Sequence, residues 1–216
     1  MGVLKWVRAL AALIAATVDW TGGGVGSPAT TATATSSGGW ELTVYYTPVE
    51  QYHDGPRQAV RGCPVLECEH GDADLGSYPA DFVDAVETEG NGRISSGPNA
   101  GRYLNWSYDI GFWLDTVPRD SAGGALRAWQ TAAADPETLA RGMAFRVVGC
   151  GTLDDGSAVP DAVCRRFLAA TWKVVDEFTP GLGGPKHVDL YIGDETGPGF
   201  TESDIYTTLV DAQLSF

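Results

Sequence analysis

The chain has 216 residues, 44% of them hydrophobic and 19% charged, with a formal net charge of −14. That length and composition suit one folded domain with appendages and exclude disorder throughout. The acidic excess disfavours nucleic-acid backbones and anionic membranes as partners, and leaves a neutral or mixed-charge ligand such as a glycan open.

The chain starts with Lys5 and Arg8, then the apolar run Ala9–Val18, then Asp19. So short a run cannot span a bilayer as a helix. Residues 1–19 read as a secretory signal or an uncleaved anchor. Residues 20–39 are dominated by Gly, Ser, Thr, Ala and Pro and read as a flexible linker. The folded domain is expected over residues 40–216. Cys63, Cys68, Cys150 and Cys164 fit an oxidising compartment, with Cys63–Cys68 and Cys150–Cys164 as the local pairings, although spacing does not fix them. Their spacings are not the paired C-x-x-C form of a zinc site. His53 and His70 lack metal-ligand spacing, and no nucleotide or phosphate motif stands out, so no metal and no cofactor are expected.

Glu41–Thr47 alternates and is rich in β formers, which predicts a strand ended by Pro48. Residues 50–76 read as irregular. Pro79–Val86 has the pattern of a short helix that ends before Gly90. Glu89–Ile94 and Gly101–Trp106 follow, with Tyr108, Phe112 and Trp113 close behind. A polar turn beside clustered aromatics serves either as a sugar-stacking platform or as a small core beneath an insertion. Further strands are expected at Met143–Gly149, Trp172–Phe178 and His187–Gly193, with a loop over 151–163 and a turn over 179–185. Phe200–Phe216 is expected to hold a short helix and a last strand. Five or six strands, few helices and long connections suit a small closed barrel, which leaves no open edge.

In the strand at His187–Gly193, Val188, Leu190 and Ile192 face one side, and His187, Asp189 and Tyr191 the other. A carboxylate among such neighbours either reaches solvent or sits at the floor of a cleft, with a raised pKa and a proton to give. Asp135 and Asp176 stand beside further strands and turns, which makes three carboxylates of interest.

Asp135–Pro136 with Leu139 and Gly142, Asp176 before a Thr/Gly-rich turn, and Val188–Asp189–Leu190–Tyr191 with Gly193 resemble the three-aspartate (3D) domain. That domain is a double-psi β-barrel and forms the catalytic end of the A-type membrane-bound lytic transglycosylases. Tyr45–Tyr46–Thr47–Pro48 resembles their Tyr-Tyr-x-Pro element. Glu89–Gly90–Asn91–Gly92–Arg93 resembles their Gln-Gly-Ser-Gly-Arg segment. The likeness spans roughly residues 42 to 195. It implies an all-β, six-stranded double-psi β-barrel with a loop and short-helix insertion at about 50–128. It also implies Asp189 as catalytic acid and base, Asp176 as its supporting aspartate, and Asp135 as a more structural third. Tyr46, Asn91, Arg93, Trp106 and His187 are the expected substrate-binding residues. The chain departs from the family after Asp176, where Glu177–Gly184 replaces an immediate Thr-Gly-Gly.

The function so implied is a secreted or cell-wall-associated enzyme that cleaves peptidoglycan, with no stable membrane insertion of the folded domain. A protonated carboxyl would serve the leaving oxygen, and in the lytic variant the sugar's own C6 hydroxyl closes on C1. The same residues accommodate a non-catalytic glycan-binding barrel of the expansin type, or a hydrolase of another polysaccharide.

Overall fold

The computed structural model describes residues 35–178 and 183–216. The expected signal segment, the expected linker up to residue 34 and the start of the expected turn at Thr179–Leu182 lie outside the described residues.

Strand β1 (Ser36–Thr47) already pairs at Ser36 and Ser37 with Ser215 and Leu214, so the strand extends into the span read as linker. Backbone pairing there needs no apolar side chains, which is why composition hid it. Between β1 and the next part of the main sheet comes an insertion. It holds a hairpin of β2 (Arg57–Gly62) and β3 (Ala73–Pro79), helix α1 (Ala80–Glu89), and a small sheet of β4 (Asn91–Arg93), β5 (Tyr103–Ser107) and β6 (Gly111–Asp115). The hairpin corrects the irregular reading of residues 50–76. The chain continues through β7 (Thr131–Ala134), β8 (Ala144–Gly149), β9 (Thr152–Leu153), α2 (Asp161–Ala169), β10 (Trp172–Asp176), β11 (His187–Asp194) and β12 (Leu209–Ser215).

Six strands pair in the order β1, β11, β7, β10, β8, β12, and β12 returns to β1 to close a ring. The pairs β1/β11 and β7/β10 are parallel and the other four are antiparallel. Closure removes the open edges that would otherwise invite pairing with another chain. Leu42, Val44 and Tyr46 of β1, Ala132 and Ala134 of β7, Trp172 and Val174 of β10, and Val188, Leu190 and Ile192 of β11 fill one core. The side assignment expected for β11 is therefore observed. Full burial of a Val or Leu side chain contributes about 1.5–3 kcal/mol, so these alternating positions hold the register of the ring.

The loop expected over 151–163 is kept over residues 154–160, between β9 and helix α2, which takes over from Asp161. Its apolar stripe is Val163 and Phe167, four residues apart, and both enter the same core. The helix is short and its polar faces dominate its sequence, which masked the stripe. Cys164 on this helix is bonded to Cys150 at the end of β8, and Cys63 is bonded to Cys68. These are the local pairings.

The insertion has its own core of Val60, Leu75, Tyr78, Phe82, Val83, Val86, Ile94, Leu104 and Leu114. Gly90 ends α1 in the left-handed region at φ 80°, where a side chain would be strained. A Cβ on Gly92 would collide with Val86 and Phe82, so β4 lies directly against α1. A buried carboxylate ties the insertion to the ring. Glu195 accepts the Val49 N–H at 2.9 Å and meets His53 Nε2 at 3.1 Å. Within the insertion, Glu50 accepts the N–H groups of Ser95 and Ser96 at 3.0 and 2.9 Å. No helix among the described residues is long and apolar enough to cross a membrane.

Candidate active site

Strand β7 lies between the two strands that carry the principal aspartates. Ala133 is the register partner of Asp176 on β10 and of Asp189 on β11. Thr43 of β1 is the partner of Asp189 on its other side. Thr43, Asp189, Ala133 and Asp176 therefore form a row across four strands. Adjacent strands are about 4.8 Å apart, so the two aspartate backbones stand roughly 10 Å apart with only a methyl group between them. Trp172 and Val174 of β10 point into the core, and strict alternation would send Asp176 there too. A register shift between Val174 and Asp176 turns it outward.

A groove of about 810 Å³ runs between this row and the insertion. Tyr45, Ala133, Asp176 and Asp189 line the ring side. Glu89, Trp106, Tyr108, Trp113 and the loop through Ser121 line the facing wall, and Tyr206 also lines the groove.

Burial pushes the Asp189 carboxyl up to about 7, and the charge of Asp176 adds to the rise. The Thr43 hydroxyl, which donates to Oδ1 at 2.9 Å, and the Leu190 N–H oppose it. A large fraction of the protein thus carries a proton on Asp189 near neutral pH. Burial also raises Asp176, against hydrogen bonds that favour its ionised form. Its Oδ1 accepts the N–H groups of Ser121 at 2.8 Å and Glu177 at 3.0 Å, and its Oδ2 faces the Tyr45 hydroxyl at 3.3 Å. Asp176 so pins the insertion's loop to β10. Arg141 reinforces the link by donating to Ser121 Oγ at 2.5 Å and Glu177 Oε1 at 3.3 Å.

Glu89 is a third acid of the groove. Burial pushes it up to about 8, the Tyr46 N–H at 3.1 Å opposes this, and the charge of Asp189 raises it further. No cluster of three or more His, Cys, Asp or Glu side chains suited to a metal ion occurs among the described residues.

The fold is similar to that of MltA from Escherichia coli. The chitohexaose-bound form of that protein superposes with a TM-score of 0.53 at 13% identity, over 84% of this chain and 74% of that one. A membrane-bound lytic murein transglycosylase from Agrobacterium tumefaciens gives 0.48 at 14% identity, over 85% and 76% of the two chains. The lytic transglycosylase LtgG of Burkholderia pseudomallei gives 0.45 at 11% identity, over 84% and 72%. No protein-family model matches the chain, and no curated protein matches its sequence.

Of the residues singled out from sequence, Asp189, Asp176 and Trp106 line the groove. Asp135 does not: it follows β7, where its Oδ1 accepts the Glu137 N–H at 2.9 Å and its carbonyl receives the Thr138 and Leu139 N–H groups. It caps a turn. Tyr46 is corrected to a core residue, 5% exposed and packed on Phe200, because alternation along β1 points it inward; Tyr45 faces the groove instead. Asn91 is fully buried and bonded to Thr47, so it braces β4 and not a ligand. Arg93 is exposed and paired with Asp194 at 2.9 Å, outside the groove lining. His187 stands behind Asp189, bonded to Thr43. Sequence reasoning misses Thr43, Tyr45, Ala133, Glu89 and Ser121. For Thr43 and Tyr45 a signal exists: period-two alternation puts them on the face opposite Leu42 and Val44.

Proposed function

We propose that this chain is a peptidoglycan-cleaving lytic transglycosylase of the cell envelope, with Asp189 as its acid and base, and that its strand ring is a double-psi β-barrel. The observation that carries the reading is a half-buried carboxyl, raised to about 7, at the floor of a groove walled by Trp106, Tyr108 and Trp113. The likeness to a fold solved with chitohexaose bound supports a glycan in that groove. Two disulfides support export.

Protonated Asp189 gives its hydrogen to the glycosidic oxygen as the C1–O bond breaks and C1 gains oxocarbenium character. The C6 hydroxyl oxygen of the same sugar bonds to C1, and its hydrogen passes to the Asp189 carboxylate. The acid is restored and a 1,6-anhydro sugar leaves. No second base is needed. This matches the neighbours of Asp189: Asp176 is engaged by Ser121, Glu177 and Tyr45, and Glu89 is largely protonated at neutral pH. Mass spectrometry of peptidoglycan digests tests the reading. Anhydromuramyl ends that vanish with Asp189→Asn support it. Reducing ends alone point to a hydrolase, and glycan binding without cleavage to a binding module.

A further inference from the structure

Behind Asp189 runs a chain of contacts that the reaction above leaves unused. Asp189 Oδ1 lies 2.9 Å from Thr43 Oγ1, which lies 2.8 Å from His187 Nε2. The other ring nitrogen, His187 Nδ1, lies 2.8 Å from the carbonyl oxygen of Gly183. A carbonyl oxygen only accepts, so Nδ1 carries a hydrogen whatever else happens. Two arrangements then satisfy every contact. With Asp189 ionised, Thr43 donates to Oδ1 and accepts from Nε2–H, and His187 is an imidazolium. With Asp189 protonated, Oδ1–H donates to Thr43 Oγ1, the Thr43 hydrogen turns to Nε2, and His187 is neutral. The two contain the same number of protons. They differ by one hydrogen passing from Oδ1 to Oγ1 and another from Oγ1 to Nε2. An ionised carboxyl beside a neutral Nδ1–H imidazole instead sets two acceptors against a single hydroxyl hydrogen and forfeits a hydrogen bond.

We propose that Asp189, Thr43 and His187 form a relay that holds one proton between carboxyl and imidazole, and that His187 is thereby a positioning residue for the acid. The other groups that face the carboxyl are Asp176 on β10, Tyr45 on β1, Glu89 at the end of α1 and Tyr206 before β12. The imidazole packs on the uncharged ring of Phe178, with ring centroids 4.7 Å apart. Of these neighbours, only the relay supplies Asp189 with a partner that can become cationic. The catalytic consequence rests on the proposed function. Once Asp189 has given up its proton, a neutral His187 competes for the Thr43 hydrogen and leaves the new carboxylate poorly solvated and basic. It is then ready to take the C6 hydroxyl proton.

The relay is tested on the full chain by ¹⁵N NMR of labelled histidine, with His187→Gln to assign the signals. The expected result is an Nδ1–H neutral tautomer for His187. At a fixed pH the His187 Nε2 signal should move in Asp189→Asn toward that of a nitrogen without a hydrogen, because a carboxylate no longer balances the imidazolium. Thr43→Val should weaken that dependence on residue 189, and Thr43→Ser should retain it in full. An Nε2–H tautomer, or the same Nε2 signal with Asp and Asn at 189, overturns the relay. This readout does not depend on turnover, so a chain that fails to cleave glycan would refute the proposed function and leave the relay standing. In an active enzyme, His187→Phe frees the Thr43 hydroxyl for Asp189 and moves the alkaline limb of the pH–rate profile downward. Superimposable profiles overturn the catalytic role.

Discussion

Replacing Asp189 with asparagine should make the protein more stable at neutral pH while removing the proposed glycan-cleaving activity. The folded-state carboxyl lies near 7 against a usual value of 3.8, with burial as the main cause. A raised carboxyl means that the folded chain binds this proton more tightly than the unfolded chain does. The stabilisation is complete below about pH 4 and is lost as pH rises through about 7. At ~1.4 kcal/mol per pH unit, the gap corresponds to about 4 kcal/mol as an upper bound. The groove is open to water, which screens the charge, so about 2 kcal/mol is the working figure. An asparagine at this position does not titrate and escapes the penalty. For a domain of this size 1 kcal/mol moves Tm by about 2–4 °C, so Asp189→Asn should melt about 4–8 °C above wild type at pH 8 and close to it at pH 4. Thermal unfolding followed by circular dichroism across that range measures the difference. Loss of the proposed general acid should lower turnover by about 10²–10⁴-fold at every pH. A difference in Tm that stays flat with pH, or an asparagine variant that is the less stable at pH 8, would refute the claim that this carboxyl is held protonated by its site.

Asp176→Asn keeps an oxygen for the Ser121 N–H but removes a charge beside Asp189. The alkaline limb of the pH–rate profile should move down by up to about one pH unit, and an unmoved limb would exclude that coupling. Glu89→Gln replaces a group that is mostly neutral at pH 7, so turnover at pH 6 should stay within about twofold of wild type, while Tm rises at pH 9 and not at pH 5 in scanning fluorimetry. Ala133→Leu places a side chain between the two aspartates. Calorimetric binding of chito-oligosaccharides should weaken tenfold or more, for about 1–3 kcal/mol lost to crowding. Replacing Cys150 and Cys164 by serine opens a cross-link with a sequence separation of 14 and should cost about 3 kcal/mol in chemical unfolding, an effect that reduction of the wild type should reproduce.

The parts of this architecture that are legible in sequence are those written in alternation. Strands β8, β10 and β11 and the outward face of Asp189 follow from period two, and α1 from its apolar spacing and Gly90. The rest depends on pairing between distant segments. That Asp176 and Asp189 flank β7, and are not themselves neighbours, is a fact of sheet order that local pattern does not carry. The shift that turns Asp176 outward occupies a single step of β10 and looks like ordinary strand sequence. The motif likeness favours Tyr46 over Tyr45, although alternation with Leu42 and Val44 already places Tyr46 in the core. Glu89 stands inside the segment singled out for Asn91 and Arg93, yet nothing local tells which of these faces a groove.

The acidity of Asp189 is a joint product of ring and insertion. On the bare outer face of a sheet its carboxyl would be solvated and its pKa ordinary. The insertion provides the opposite wall, and Asp176 secures that wall through Ser121 while its charge raises Asp189. One carboxyl thus closes the groove and tunes the other. The outer positions that carry this arrangement are also those that the core leaves free. Leu42, Val44, Val188 and Leu190 hold the register of β1 and β11, while Thr43 and Asp189 sit one step away and face outward. Substitutions at Thr43 and Asp189 can therefore alter chemistry without disturbing the ring, whereas Ala133 is packed against Tyr45, Leu126 and Tyr191. The groove wall is different: α1 and β4 meet at Gly92 with no space for a side chain, so a substitution there must displace Val86 and Phe82 of the insertion's core.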